Sequence, residues 1–128
     1  MTSRSLENAT AALAQLRSFL AVPVVTDRDR AGVIQAFEFT FEATWKMLKT
    51  VAESEGLTAE SPKRALAAAY RLGILEDEAT WLDMLQHRNL TSHVYHAELA
   101  REIFEAVRDR YVDALTMAVD RSNGRGQV

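Results

Sequence analysis

Cysteine is absent from the 128 residues, so neither a disulfide framework nor thiolate chemistry is available. Proline occurs twice and glycine five times, three of the glycines at or after position 73. A chain this poor in breakers can sustain long uninterrupted elements. No apolar run approaches the length that crosses a bilayer. Met1-Thr2-Ser3-Arg4 leads into an amphipathic segment without a signal-peptide hydrophobic run. These absences predict a cytoplasmic protein with no membrane association. Asn89-Leu90-Thr91 fits a glycosylation sequon, which without a secretion signal reads as coincidence. Positive charge is not in surplus either. A net charge of −3 excludes nucleic-acid binding by bulk electrostatics and leaves room only for a small local basic site.

Several chemistries are missing. Glycine-rich phosphate loops and strand-turn-helix nucleophile elbows are not found. His87, His93 and His96 lie close in sequence, but no HExxH pattern or carboxylate cluster accompanies them. A metal site is therefore not expected, and no cofactor is predicted.

What is present favours helix. Nearly half of the chain is apolar, at 48%, and alanine, leucine and glutamate dominate. No stretch alternates at period two over strand length. A first helix is predicted from about Ser5 to Ala21, with Leu6, Ala9, Leu13, Leu16 and Leu20 as its seam and Pro23 ending it. Asp27 or Asp29 can cap a long second helix from about Asp29 to Glu55, which Gly56 terminates. Its stripe is Ile34, Phe37, Phe41, Thr44, Leu48 and Val51, widened by Phe39, Trp45 and Met47. The aromatics read as core or as a dimer face rather than as a ligand box. Ser61 and Pro62 start a short third helix that Gly73 stops, and Asp77 caps a fourth. A fifth runs from about Ala97 to Arg121, lined by Leu99, Ile103, Val107, Tyr111, Leu115 and Ala118 and closed by Asn123-Gly124. The predicted architecture is all-α: an up-and-down four-helix bundle with one additional short helix. It forms a single domain over residues 1–128, with 119–128 as a frayed tail.

The fourth helix carries the unusual chemistry. Continued as a helix past Leu85, one stripe reads Leu82, Leu85, Asn89, His93, His96, and the next reads Trp81, Met84, Arg88, Ser92, Tyr95. Both begin apolar and end in polar groups. Histidine is suited to proton transfer near neutral pH. Arginine can grip a phosphate through two parallel hydrogen bonds. Together they supply what a 2′-hydroxyl needs to attack its own phosphodiester: metal-free RNA cleavage. On a straight helix, however, Arg88 and His93 point about 140° apart. They converge only if the helix unwinds after Asn89 or if two copies of the motif meet at a dimer interface. Alternatively, Asn89 and His93 satisfy each other at a helix end.

Arg88-Asn89-Leu90-Thr91-Ser92-His93 resembles the R-x4-6-H motif of the HEPN superfamily, with its polar residue after the arginine. Tyr95 extends it to the R-x4-H-x-Y form of HepT toxins. The segments Phe37-Glu38-Phe39-Thr40-Phe41-Glu42-Ala43-Thr44-Trp45-Lys46, Ser61-Pro62-Lys63 and Trp81-Leu82-Asp83-Met84-Leu85 resemble the branch called nucleotidyltransferase substrate-binding proteins. The likeness spans roughly Leu6 to Met117. It implies a helical bundle that forms a homodimer with two facing motifs, encoded beside a minimal nucleotidyltransferase. It further implies a metal-independent endoribonuclease toxin in which Arg88, His93 and Asn89 are catalytic and RNA is the substrate. The partner would then be an antitoxin that attaches AMP to Tyr95. The alternative the family offers is a non-catalytic substrate-binding subunit of the nucleotidyltransferase.

Overall fold

Each helix start in this chain is a local hydrogen-bonding event. In the computed structural model, which describes residues 3–126, the Ser3 hydroxyl accepts from the Leu6 amide and opens α1, Arg4–Leu20. Helix α2, Asp27–Ser54, opens on Thr26 rather than on Asp27 or Asp29. Thr26 and Asp29 form a reciprocal box: Thr26 Oγ1 accepts from the Asp29 amide, and Asp29 accepts from the amides of Val25 and Thr26. Those backbone donors hold the Asp29 carboxyl below the ordinary aspartate range. Of the two caps the sequence offered, Asp27 is the first helical residue, and the Asp29 carboxylate serves the capping residue three positions back.

Helix α3, Pro62–Arg71, follows Ser61, and α4, Glu78–Asn89, follows Asp77, both capping through their side chains as predicted. Gly56 and Gly73 sit at φ +83° and +77°, the left-handed geometry that ends α2 and α3. A single 3-10 turn, Thr91–His93, follows α4. The last rod comprises α5, Ala97–Ala106, a π turn at Val107–Tyr111, and α6, Val112–Gly126. Four long rods and the short α3 make up the predicted all-α bundle. None of these helices is long and apolar enough to cross a membrane.

Two details of the last rod depart from the sequence reading. The apolar stripe steps by four from Leu99 to Leu115, and on a straight α-helix each such step drifts by about 40°. The wider π turn absorbs that drift, so that Ile103, Val107, Tyr111 and Leu115 are all buried. The helix also runs past Asn123-Gly124, where it was expected to close. Tertiary contacts hold its end: Val119 and Ser122 are buried, Arg121 donates to Glu76 and to the Ile74 carbonyl, and Arg125 donates to Glu55. Of the tail expected to fray, only residues 127–128 lie outside the described residues.

The core centres on α2. Phe37 and Phe41 are fully buried, and Tyr111 stacks on Phe37 with centroids 5.6 Å apart. Thr40 donates to the Ala36 and Ala12 carbonyls and pins α2 to α1. The second-helix aromatics thus divide. Phe37 and Phe41 are core, Trp45 is partly buried against it, and Phe39 stands 52% exposed.

Candidate functional site

Buried Trp81 and Met84 anchor α4, while Leu82, which the sequence placed on a core stripe, is exposed. The helix then stops at Asn89 instead of carrying the stripes onward. Leu90 N–H donates to the His87 carbonyl, His93 N–H to Leu90, and His96 N–H to His93. Residues 90–96 are therefore a succession of tight turns, and the unwinding that the sequence left open takes place.

Arg88 lies in a cleft of about 480 Å³ between α2 and the end of α4. Its Nη2 donates to the Glu42 carboxylate and its Nη1 to Asn89 Oδ1 at 3.2 Å. Glu42 also meets Lys46 Nζ at 3.9 Å. The Thr91 hydroxyl is shared between the Glu38 carboxylate and the Arg88 carbonyl, the latter at 2.8 Å. Phe39 forms part of the same wall. A guanidinium has five N–H donors; Glu42 and Asn89 engage two, and three remain for a ligand. Asn89 and His93 do not satisfy each other as the alternative sequence reading had it: Asn89 bonds Arg88 instead.

His93 does not line that cleft. Its exposed imidazole turns to Tyr95, with Tyr95 Oη 3.5 Å from Nδ1 and the rings edge-on at 6.1 Å. Tyr95 is 74% exposed and packs against the His96 ring at 4.4 Å. Within one chain the motif is thus split. Arg88 and Asn89 line the cleft beside the α2 carboxylates, while His93 lies outside it and Tyr95 lines a separate cavity.

Behind α4 lies a polar contact that the spacing did not suggest. Tyr111 Oη is 2.7 Å from His87 Nδ1, and Glu102 Oε2 is 2.7 Å from His87 Nε2. Burial pushes the Tyr111 phenol up to about 12, so it keeps its proton, and the imidazole bridges the phenol and the Glu102 carboxylate. This chain clamps the turn that carries Arg88 onto the α5 rod. His87, which the sequence raised only as a possible metal ligand, is a structural residue here. No group of three or more His, Asp or Glu is placed to hold a metal among the described residues. Of Glu38, Glu42, Thr91 and His87, only the Glu38/Glu42 pair had a sequence signal, the i,i+4 spacing that puts two carboxylates on one helix face.

Residues 4–123 match the family described as nucleotidyltransferase substrate binding protein like. The chain belongs to this family. A family likeness also holds in three dimensions. A crystal structure from Thermus thermophilus superposes with a TM-score of 0.76 at 36% identity, covering 94% of this chain and 99% of that one. A Haemophilus influenzae protein, reported to reveal the fold of a substrate binding domain of a nucleotidyltransferase, superposes at 0.78 with 28% identity over 92% of this chain and 98% of its own. A probable ribonuclease HepT from Haemophilus influenzae is 30% identical over 96 residues, which are 71% of this chain and 66% of that relative. The match thus spans just under two thirds of the relative's length. The HEPN and HepT-like resemblance read from Arg88 to Tyr95 and the family read from the whole chain agree.

Proposed function

We propose that this protein is a metal-independent endoribonuclease, the toxin of a two-gene module whose partner is a minimal nucleotidyltransferase. The observation that carries the proposal is Arg88: a guanidinium fixed from two sides, with three donors left over, one tight turn before an exposed histidine. Likeness to a probable ribonuclease HepT supports it. In the reaction the substrate's 2′-hydroxyl oxygen attacks the adjacent phosphorus and the bond to the 5′-oxygen breaks. A 2′,3′-cyclic phosphate and a 5′-hydroxyl result. Arg88 holds the phosphate through its free N–H groups. His93 either takes the 2′ proton or returns one to the leaving oxygen. Asn89 fixes the guanidinium. Because the nucleophile belongs to the substrate, cleavage is expected to persist with divalent metal chelated.

Since His93 does not line the cleft that holds Arg88 in the same chain, a complete site calls for two copies with facing motifs. Exposed Phe39, which borders both the Arg88 cleft and a second groove of about 620 Å³ beside the α1 start, suits such an interface. Sedimentation at micromolar concentration is expected to give a dimer, and Phe39→Asp is expected to shift it towards monomer. A wild-type monomer under those conditions rejects the two-copy site.

The regulation we propose is transfer of AMP by the partner onto the Tyr95 phenol. The oxygen of Tyr95 attacks the α-phosphorus of ATP, pyrophosphate leaves, and the phenolic proton is lost. The exposed hydroxyl, 3.5 Å from His93 Nδ1, suits both the transfer and the inhibition. Co-expression with the neighbouring nucleotidyltransferase is expected to add an AMP-sized increment to the intact mass, absent in Tyr95→Phe. An unmodified chain beside an active partner supplied with ATP rejects it. It also moves the protein to the second reading, a non-catalytic substrate-binding subunit, which the family description and the Haemophilus influenzae structure support. A stable complex with the nucleotidyltransferase and no RNA cleavage in either state identifies that case. Growth arrest on expression without the partner identifies the toxin.

A further inference from the structure

The segment from Arg88 to Tyr95 contributes to the walls of two separate cavities. One is the Arg88 cleft. The other, of about 400 Å³, opens between the first turn of α2 and the start of α5 and is walled by Arg28, Arg30 and Tyr95. The cleavage reading makes no use of it.

Its chemistry differs from that of the cleft. The cleft sets the carboxylates of Glu38 and Glu42 against one cation, Arg88. This cavity sets Arg28 and Arg30 against one carboxylate, Asp27, which is already paired with Arg30. Asp29, the acid that feels the Arg28 charge, is committed to the backbone amides of Val25 and Thr26. Positive charge therefore predominates in the cavity although the chain carries −3 overall. The capping box of α2 occupies the Asp29 amide and both Asp29 contacts, so the anion affinity lies with the arginine side chains and not with the helix end.

The cavity also has an aromatic wall. Tyr95 is 74% exposed, backed by the His96 ring at 4.4 Å, and Val94, Ala97 and Ala100 add apolar surface. A supported ring in solvent beside guanidinium groups is the combination that single-stranded nucleic acid takes up: a base stacks and a phosphate pairs.

We infer that this cavity is a nucleotide subsite for the RNA strand, in which a base next to the cleaved phosphate stacks on Tyr95 and its phosphate pairs with Arg28. The inference rests on the reading of Arg88 and His93 as the cleavage site. His93, whose Nδ1 is 3.5 Å from the Tyr95 hydroxyl, links the subsite to the cleavage chemistry. The subsite also locates the nucleotide that modification would add. The cavity that Tyr95 lines holds Arg28 and Arg30 and not Arg88. AMP on Tyr95 would then block RNA by filling this subsite.

The test is equilibrium binding of a 2′-O-methyl RNA oligomer of about ten nucleotides, within the range that single-strand sites span. This probe lacks the nucleophile, so binding is read apart from cleavage. Tyr95→Ala is expected to weaken binding by about tenfold, and Tyr95→Trp to recover the loss, because a stacked base needs a ring and not a phenol. Arg28→Gln is expected to flatten the log–log salt dependence by about 0.7, one phosphate contact on a single strand. A purely structural role for Arg28 would not move that slope. If wild type binds and Tyr95→Ala and Arg28→Gln bind equally well with an unchanged slope, the subsite is wrong and the cleavage reading stands. If wild type does not bind the oligomer at all, both fall.

Discussion

His93→Ala is expected to lower the RNA-cleavage rate by about 10²–10⁴-fold, the range that one positioned proton-transfer group supplies, and to leave the fold unchanged. The second half of that expectation follows from where the residue sits. His93 is exposed, at the end of a single 3-10 turn, and its one side-chain hydrogen bond is the 3.5 Å contact to Tyr95. Nothing in the core leans on it, and surface substitutions of this kind shift stability by roughly 0.5 kcal/mol or less. Thermal unfolding by circular dichroism and a cleavage assay on the same preparation separate the two effects. Equal melting temperatures with activity lost place His93 in the chemistry. Full activity in His93→Ala removes it from the mechanism, and with it the proposed enzyme.

Arg88→Lys is expected to cost about 10²–10³-fold in the same assay, comparable to removal of a donor aimed at developing charge. The substitution keeps the charge, so the loss measures geometry. The guanidinium is planar and presents its donors as a fork. One arm is held by Glu42 and another by Asn89, which fixes the guanidinium in the wall of the cleft with three N–H groups left over. A lysine ammonium is a point charge on a flexible stem and cannot be braced on both sides while offering two parallel bonds. Stability should change little. Arg88 and Glu42 are 29% and 35% exposed, and partly solvated pairs contribute about 0–1 kcal/mol. A fall in the cleavage rate at saturating RNA, with melting unaffected, is the expected pattern. A variant that only needs more RNA to reach the wild-type rate would assign Arg88 to binding alone. Wild-type kinetics would show that charge without shape suffices.

The sequence by itself determined the helices of this protein and the family it belongs to. Caps, apolar periodicity and left-handed glycines act within about one turn of the chain, so Ser61, Asp77, Gly56 and Gly73 could be read where they stand. The motif residues were legible in the same way, since Arg88, Asn89, His93 and Tyr95 lie within one short segment. Even the π turn left a trace, in a stripe that steps by four too many times to stay on one face. Tertiary structure alone decided what these residues face. Glu42 meets Arg88 across 46 positions, Glu38 meets Thr91 across 53, and Tyr111 meets His87 across 24. Such pairings depend on how far each helix is rotated about its axis when its apolar face is buried, and periodicity fixes which face turns inward but not which polar neighbours it then meets. The same holds for the last turn of α6, kept helical past Asn123-Gly124 by Arg125 reaching Glu55. It holds also for the division of the motif, with Arg88 in the cleft beside the α2 carboxylates and His93 and Tyr95 outside it, because that depends on where α4 stops against its neighbours and the chain turns.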